Sequence, residues 1–456
     1  MRRTFSDSVL AKKVFIKSYG CQMNVYDSAR MEDVMKLAGY ISTANANDAD
    51  LVVLNTCHIR EKAAEKLYSE LGRLRETKSE KTVIAVAGCV AQAEQEEIAR
   101  RAPYVDVIVG PQSYHRLPKL VTTAESSKLT GLPKRVIDTN FPVESKFDSL
   151  PDARGKGPVA FLTIQEGCDK FCSFCVVPYT RGAEFSRPID SIVSEARQLI
   201  EGGVVEITLL GQNVNAYHGD ENGLAGLIRK LAKLDGLERI RYTTSHPKDM
   251  SKELIAAHGD VPELMPYLHL PIQSGSNEVL SIMNRQHVVD DYVKVIGELR
   301  SVRPDIALSS DFIVGHPGET EKDFDCTLAL VESVRFAQAY SFKFSQRPGT
   351  PASDMGGQVL ENVKAQRLKT LQNLLNRQQL EFNDQFAGQL VPVLFERRGK
   401  LSGQIAGRTP YMQAVYVNCK GEEAVDNYFG KTLPVRVTAA FGNSLTGSLE
   451  PPVLKT

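Results

Sequence analysis

No stretch of this chain stays apolar for the roughly 18 residues that a membrane-crossing helix needs. The opening "MRRTFSDSVLAKK" carries two arginines with no apolar block behind them, so a cytoplasmic protein is expected. Cysteine is scarce, eight in 456 residues. In a large chain without an export signal that scarcity argues against a disulfide framework and leaves thiols available as metal ligands. An excess of either charge is also missing, since 55 Lys and Arg balance 55 Asp and Glu. Zero net charge neither demands nor excludes a nucleic-acid partner, because a local basic face is easily offset elsewhere. The eight histidines show no His-Glu-x-x-His spacing, and there is no Walker-type phosphate loop. What is left, 42% hydrophobic and 24% charged residues, reads as a soluble globular chain too long for one core, with two or three domains.

Residues 12–125 alternate strand and helix patterns. "KKVFIKSYG", "DADLVVLNTC", "KTVIAVAGC" and "VDVIVGP" have the Val/Ile-rich look of buried strands, and "REKAAEKLYSELGRLRE" and "AQAEQEEIARRA" lie between them with helical spacing. This predicts a parallel sheet with crossover helices. Cys21, Cys57 and Cys89 each fall just past a strand, where open parallel sheets bind ligands. A free cysteine is ordinarily a small buried hydrophobe, but three at equivalent strand ends point to a shared ligand. Residues 126–153, rich in Ser, Pro, Gly and Lys, read as a linker.

A second α/β series fills 154–384, with strands expected at "VAFLTIQEG", "VVEITLLGQN", "RIRYTTSHP", "YLHLPIQSG", "IALSSDFIVG" and "AYSFKFSQ". Six strands with intervening helices predict a partial (β/α)6 barrel whose site lies at the C-terminal strand ends. The amphipathic helix that ends this region, with Val363, Leu368, Leu371 and Leu375 on one face, is expected to pack on it. Residues 385–450 read as short strands with Gly-rich turns, a small antiparallel β-barrel of OB-like type. Cys326 in a helical pattern and Cys419 in a late strand are expected to be core or bystander residues.

The densest chemistry is "EGCDKFCSFCVVPYTRG", where Cys168, Cys172 and Cys175 follow the first strand of the second series. A structural zinc site wants four protein ligands, and no cysteine or histidine nearby supplies the fourth. Three thiolates suit a 4Fe-4S cluster with one iron left open. S-adenosylmethionine chelates such an iron and is cleaved by an electron from the cluster to a carbon radical.

With Phe174 before its last cysteine, this run resembles the radical S-adenosylmethionine superfamily. "YGCQMN", "NTCHIR", "GCVAQ", "VPYTRGAEFSR", "HLPIQSGS" and "DFIVGHPGET" together resemble the methylthiotransferase family from end to end, in its tRNA-modifying MiaB type. The resemblance implies a second, auxiliary 4Fe-4S cluster on Cys21, Cys57 and Cys89, facing the first across a domain interface. It implies methylthiolation of carbon 2 of N6-isopentenyladenosine at position 37 of tRNA, beside the anticodon. S-adenosylmethionine serves both as methyl donor and as source of the 5'-deoxyadenosyl radical. It further implies that the C-terminal barrel is a TRAM domain that grips tRNA.

Other positions follow from placement. Gln212 and Asn213 follow the second barrel strand, where the superfamily holds the methionine part of the cofactor, though they equally suit a helix cap. Ser245, Gln273 and Asp311 lie near later strand ends and are expected to face the cavity. Arg181 and Arg187 suit either a carboxylate or phosphate contact or an interdomain salt bridge. In the C-terminal barrel seven Lys and Arg stand against five Asp and Glu. There Arg397, Arg398, Lys400 and Arg408 are the candidate tRNA phosphate contacts, and Tyr411 a candidate stacking residue. Expected partners are tRNA, an electron donor such as flavodoxin or ferredoxin, and iron-sulfur assembly or sulfur-supply proteins. Open alternatives are a methylthiotransferase for threonylcarbamoyl-adenosine in tRNA or for a ribosomal-protein aspartate, a non-catalytic iron-sulfur RNA-binding redox sensor, and a zinc protein.

Overall fold

The computed structural model describes residues 11–450 apart from 59–60, 132–134, 143–144, 154, 156 and 420. The chain divides into two units, residues 1–153 with Val176–Gly182, and residues 154–175 with 183–456. Among the described residues no helix is long and apolar enough to cross a membrane.

The first unit runs β1 (Lys12–Tyr19), α1 (Gln22–Leu37), β2 (Tyr40–Ser42), β3 (Leu51–Thr56), α2 (Glu61–Thr77), β4 (Val83–Ala87), α3 (Cys89–Ala93), α4 (Gln95–Arg101), β5 (Val107–Val109), α5 (Leu117–Leu129) and β6 (Val136–Asp138), and α6 (Val177–Arg181) joins it. The strands form one sheet in the order β2-β1-β3-β4-β5-β6, parallel throughout. β3 and β4 are buried at every position because helices cover both faces. With the two-residue period of a strand, Leu51, Val53, Val83 and Ala85 meet α1 and α5, while Val52, Leu54, Ile84 and Val86 meet Leu67, Leu71 and Leu74 of α2. Four strands were expected here and six are present. β2 and β6 have three residues each, too few for an alternation to show. The linker reading of 126–153 is corrected accordingly: α5 continues to Leu129, β6 pairs with β5, and Lys146 is buried with its Nζ donating to Pro111 O at 2.9 Å.

The second unit opens with β7 (Val159–Thr163) and a two-residue ribbon of β8 (Gln165–Glu166) against β9 (Phe185–Ser186). It continues with α7 (Ile189–Glu201), β10 (Glu206–Leu210), α8 (Gly223–Leu231), β11 (Arg239–Tyr242), α9 (Lys252–Asp260), β12 (Tyr267–His269), α10 (Asn277–Ile282), α11 (Val289–Val302), β13 (Ala307–Val314), α12 (Glu321–Val334) and β14 (Gln338–Lys343). All six expected strands are present and parallel, as β7-β10-β11 and β12-β13-β14, joined by a bridge between Ile240 and Leu264. Local chemistry fixes the helix starts. Thr320 accepts from Asp323 N and the Asp323 carboxylate accepts from Thr320 N at 2.8 Å, a reciprocal cap on α12.

After α13 (Pro351–Asp354), the long α14 (Glu361–Asp384) buries Leu371, Leu374 and Leu375, with Val363 and Leu368 half-buried. Its buried Arg367 pairs with Glu319 at 2.7 Å. Cys326 on α12 is exposed, so it is no core residue, and Cys419 is half-buried.

A barrel closes in the order β15 (Leu390–Arg398), β16 (Gln404–Arg408), β17 (Ala414–Asn418), β19 (Ser444–Leu449), β18 (Thr432–Phe441), with α15 (Glu422–Tyr428) between β17 and β18 in sequence. Alternate residues Val391, Val393, Phe395, Val415, Val417, Val435 and Val437 fill it. The antiparallel expectation holds for four pairings, but β17 and β19 run parallel, which closes the barrel.

The barrel is anchored on the outer face of β11. Arg239 donates to Arg408 O (3.0 Å) and Pro392 O (3.3 Å), and Arg241 to Pro410 O (2.7 Å) and Thr409 O (2.9 Å). Both guanidiniums lie against the buried Glu206 carboxylate, at 3.7 and 2.9 Å.

Candidate functional site

In the first unit the three cysteines sit at the C-terminal ends of β1, β3 and β4. Cys21 caps α1, its Sγ donating to Asn24 Oδ1 at 3.1 Å. Cys57 is tied back by its N–H to Tyr19 O at 2.9 Å, and Cys89 begins α3. Asn24 and Asn55, both fully buried, lock the turns together: Asn24 Nδ2 donates to Asn55 Oδ1 (3.1 Å) and Asn55 Nδ2 to Asn24 O (2.8 Å).

The Cys21 thiol is pulled below its ordinary pKa, foremost by its hydrogen bond with Cys57 and also by the charge of Arg181, against the cost of burial. Burial pushes the Cys89 thiol up, with Arg181 opposing. Arg181 is therefore spoken for. It is buried, ion-paired with the buried Asp27 at 2.7 Å, and directs its field at the cysteines, which settles its two open readings in favour of a salt bridge, here internal to this unit.

Close approach of these turns excludes a Cβ at Gly88, where φ is +89°. A methyl there would stand 2.3 Å from Asn55 Oδ1 and 2.8 Å from Thr56 O. Gly88→Ala is expected to scatter the Cys89 turn. Iron bound per chain after anaerobic reconstitution should fall to the level of Cys57→Ala, and wild-type iron content in the alanine variant would contradict it.

In the second unit Cys168, Cys172 and Cys175 follow β7 and β8 on a turn closed by Cys175 N to Cys172 O at 3.0 Å. Burial pushes the Cys168 thiol up to about 11. A thiol so raised ionises on meeting a metal, because a coordinating thiol is deprotonated outright. Gln165, passed over in the sequence, organises this loop. Its Oε1 accepts from Gln212 N (2.9 Å) and Asn213 N (3.0 Å), and its Nε2 donates to Gly167 O (2.7 Å). Gln212 returns the contact, its Oε1 accepting from Gly167 N at 2.6 Å. Gln212 is thereby placed as a loop brace, and Asn213, held by Asp249 at 2.8 Å, keeps a buried Oδ1 without a hydrogen-bond partner.

Around the same strand ends Ser245 Oγ, His246 Nε2 and His287 Nε2 are likewise buried and unpartnered. This is an array of polar atoms that suits a polar ligand such as S-adenosylmethionine. Gln273 adopts φ +81° and Thr244 +71°, left-handed conformations that non-glycine residues rarely hold outside functional sites. Gln273 N donates to Asp311 O at 3.0 Å, and the Asp311 carboxylate stands 3.6 Å from His269 Nε2. His246 and His287 pack edge to face at 5.3 Å. Burial, reinforced by the Arg285 charge, lowers both rings, His287 to about 4, so both are neutral at neutral pH. Arg187 is a structural residue, bonded to Thr163 O (2.6 Å) and Glu195 (2.6 Å). Its salt bridge is internal to the second unit.

Among the described residues no three His, Cys, Asp or Glu side chains converge on a single metal-ion position. A four-iron cluster takes its thiolates at separate irons and asks for no such convergence.

On the barrel, Arg397 and Lys400 are exposed. Arg398 is ion-paired with Asp426, and Arg408 is held by Glu396 at 3.1 Å and Met412 O at 3.1 Å. Tyr411 is no stacking platform: its hydroxyl donates to Asp305 at 2.9 Å and its ring packs 5.2 Å from Phe386.

Fold and site thus define a three-part radical S-adenosylmethionine protein. Residues 13–110 match the uncharacterized protein family UPF0004, residues 162–331 the radical SAM superfamily, and residues 384–449 the TRAM domain. Two curated relatives are each named tRNA-2-methylthio-N(6)-dimethylallyladenosine synthase. The one from Sphingopyxis alaskensis is 57% identical over 95% of this chain and 97% of its own length, and the one from Maricaulis maris 56% over 97% and 98%. This chain belongs to the family of tRNA-2-methylthio-N(6)-dimethylallyladenosine synthases.

Among solved structures, the radical S-adenosylmethionine methyltransferase TsrM from Kitasatospora setae, with cobalamin and a [4Fe-4S] cluster bound, superposes with a TM-score of 0.56 over 75% of this chain and 74% of its own. The cobalamin-dependent radical enzyme OxsB does so at 0.51 over 80% and 56%. At 12% identity, both show the fold alone.

Proposed function

We propose that this chain converts N6-isopentenyladenosine at position 37 of tRNA into its 2-methylthio derivative, with Cys168, Cys172 and Cys175 holding one 4Fe-4S cluster and Cys21, Cys57 and Cys89 a second. The reading rests on one observation above all. Two trios of cysteines outside any disulfide lie at parallel-strand ends of a chain that matches synthases of this name over nearly its full length. When bound, the clusters and S-adenosylmethionine supply a carbon radical able to take hydrogen from the non-acidic carbon 2 of adenine, together with the sulfur and the methyl group that replace it.

The chain's own contribution is placement. Gln165 and Gln212 hold the Cys168 loop against the turn after β10. Asn213, Ser245, His246 and Gln273 offer polar atoms that stay uncharged, as suits a cofactor whose own carboxylate and amine already carry charge. Asp311 adds one carboxylate at the rim. Reaching carbon 2 requires the base to leave its stack, at a cost of a few kcal/mol. The protein works in the cytoplasm with an electron donor such as flavodoxin or ferredoxin and with iron-sulfur assembly or sulfur-supply proteins. A tRNA deuterated at carbon 2 of the target adenine tests the chemistry, since it should deliver deuterium into 5'-deoxyadenosine. Release of 5'-deoxyadenosine free of deuterium would sink this route.

For tRNA binding, Arg397, Arg398 and Lys400 are all exposed and Arg408 is half-buried; the ion pairs of Arg398 with Asp426 and of Arg408 with Glu396 favour Arg397 and Lys400 as the phosphate contacts. Because the barrel is pinned by Arg239 and Arg241, charge reversal is a cleaner test than deletion of the domain. The pair Arg397→Glu and Lys400→Glu should weaken filter-bound tRNA and reduce the salt dependence by about one phosphate contact each. Unchanged affinity at low salt would remove the barrel from the tRNA interface.

A further inference from the structure

The loop Met283–His287 embraces the three-cysteine loop, and nothing in the sequence pattern singled it out. Ser173 N donates to Met283 O at 3.0 Å, and Asn284 Nδ2 donates to Lys170 O (3.2 Å) and Phe171 O (3.0 Å). Asn284 (φ +57°) and Gln286 (φ +56°) are both left-handed, as is Phe171 (φ +47°) on the facing loop. Such backbone conformations are strained and persist where the surroundings over-determine them. The two in this loop flank Arg285 and turn it inward.

Arg285 is only 5% exposed. Its Nη2 donates to Pro271 O at 2.6 Å, its Nη1 lies 3.6 Å from Cys172 Sγ, and its Nε has no hydrogen-bond partner. No Asp or Glu among the described residues pairs with it, in contrast with Arg181 on Asp27, Arg187 on Glu195 and Arg367 on Glu319. A buried guanidinium without a counter-ion is costly, and the negative group nearest to hand is the sulfur of Cys172 once it is a thiolate.

We propose that Arg285 is a positioning residue for the Cys168–Cys172–Cys175 cluster, donating to the Cys172 sulfur and holding, through its fixed positive charge, the cluster's reduction potential up. This rests on the reading that these three cysteines bind a 4Fe-4S cluster. Reduction adds negative charge beside the guanidinium, so a neutral side chain at 285 disfavours the reduced form.

The test uses the full chain with Cys21, Cys57 and Cys89 changed to Ala, so that only one cluster is observed, in an EPR-monitored redox titration without S-adenosylmethionine. In Arg285→Met the oxidised-to-reduced ratio at the parent's midpoint should move at least tenfold toward oxidised, 59 mV for a one-electron couple. Arg285→Lys, which keeps the charge, should recover most of that shift. Arg285→Gln keeps bulk and a donor and stands in should the methionine variant fail to fold. A midpoint unchanged in a folded, cluster-bearing neutral variant overturns the proposal. So does a variant whose only defect is weaker S-adenosylmethionine binding, because that assigns the guanidinium to the cofactor's carboxylate. A parent that shows no 4Fe-4S signature at all refutes the cluster reading itself and is thereby told apart from failure of the Arg285 role.

Discussion

Changing Cys172 to Ala is expected to abolish both 5'-deoxyadenosine release and the 2-methylthio product, whereas Cys57→Ala should abolish the product and leave 5'-deoxyadenosine release standing. The asymmetry follows from the separate tasks proposed for the two trios. Cys172 is buried beside Arg285, and its loss deprives the proposed radical site of one of its three thiolates. Cys57 belongs to the other trio, hydrogen-bonded to Cys21. A fall of product formation beyond about 10³-fold, which is about 4 kcal/mol of barrier, is expected in both variants. Chromatographic assay of 5'-deoxyadenosine separates them. Should Cys57→Ala also stop cofactor cleavage in a protein that retains its Cys168 cluster, the division of labour is wrong.

The second large effect is on stability. Arg241 is buried, salt-bridged to Glu206, and donates to two barrel carbonyls, so Arg241→Met leaves the buried Glu206 carboxylate with the more distant Arg239 at 3.7 Å and leaves Thr409 O and Pro410 O without those donors. Breaking a buried pair from one side costs about 3–5 kcal/mol. Urea unfolding followed by circular dichroism should show most of that loss, with Arg239, at 3.7 Å from Glu206, offsetting a part. Because the cost comes from the stranded charge, adding Glu206→Leu should return part of it. A double variant as weak as the single one would place the cost in packing.

Much of this fold is legible in the sequence, for physical reasons. The strands of the first unit's central sheet are Val/Ile-rich runs bounded by turn residues, Cys21, Cys57 and Cys89 each come just past a strand, and the second trio follows the first strands of its own series. What escaped notice shares a different character. β2 and β6 are three-residue strands, each paired with one neighbour, too short to carry a periodic signal. Gln165 and Arg285 act through contacts made by residues 47 and 113 positions away, which no local pattern encodes. "RIRY" did hold a clue: Arg239 and Arg241 alternate onto one face of a strand otherwise built for burial, a signature of an outer face covered by something polar. Tyr411 misled because an aromatic residue near arginines looks like a stacking platform, while the structure spends it on Asp305 and Phe386.

The most direct test of the account is to reconstitute the protein anaerobically with iron and sulfide, reduce it, and add S-adenosylmethionine with isopentenyladenosine-containing tRNA. The digested nucleosides are then read by mass spectrometry. The account predicts 2-methylthio-N6-isopentenyladenosine, absent when Cys172 is Ala. A cluster-replete protein that leaves the nucleoside unchanged would contradict it.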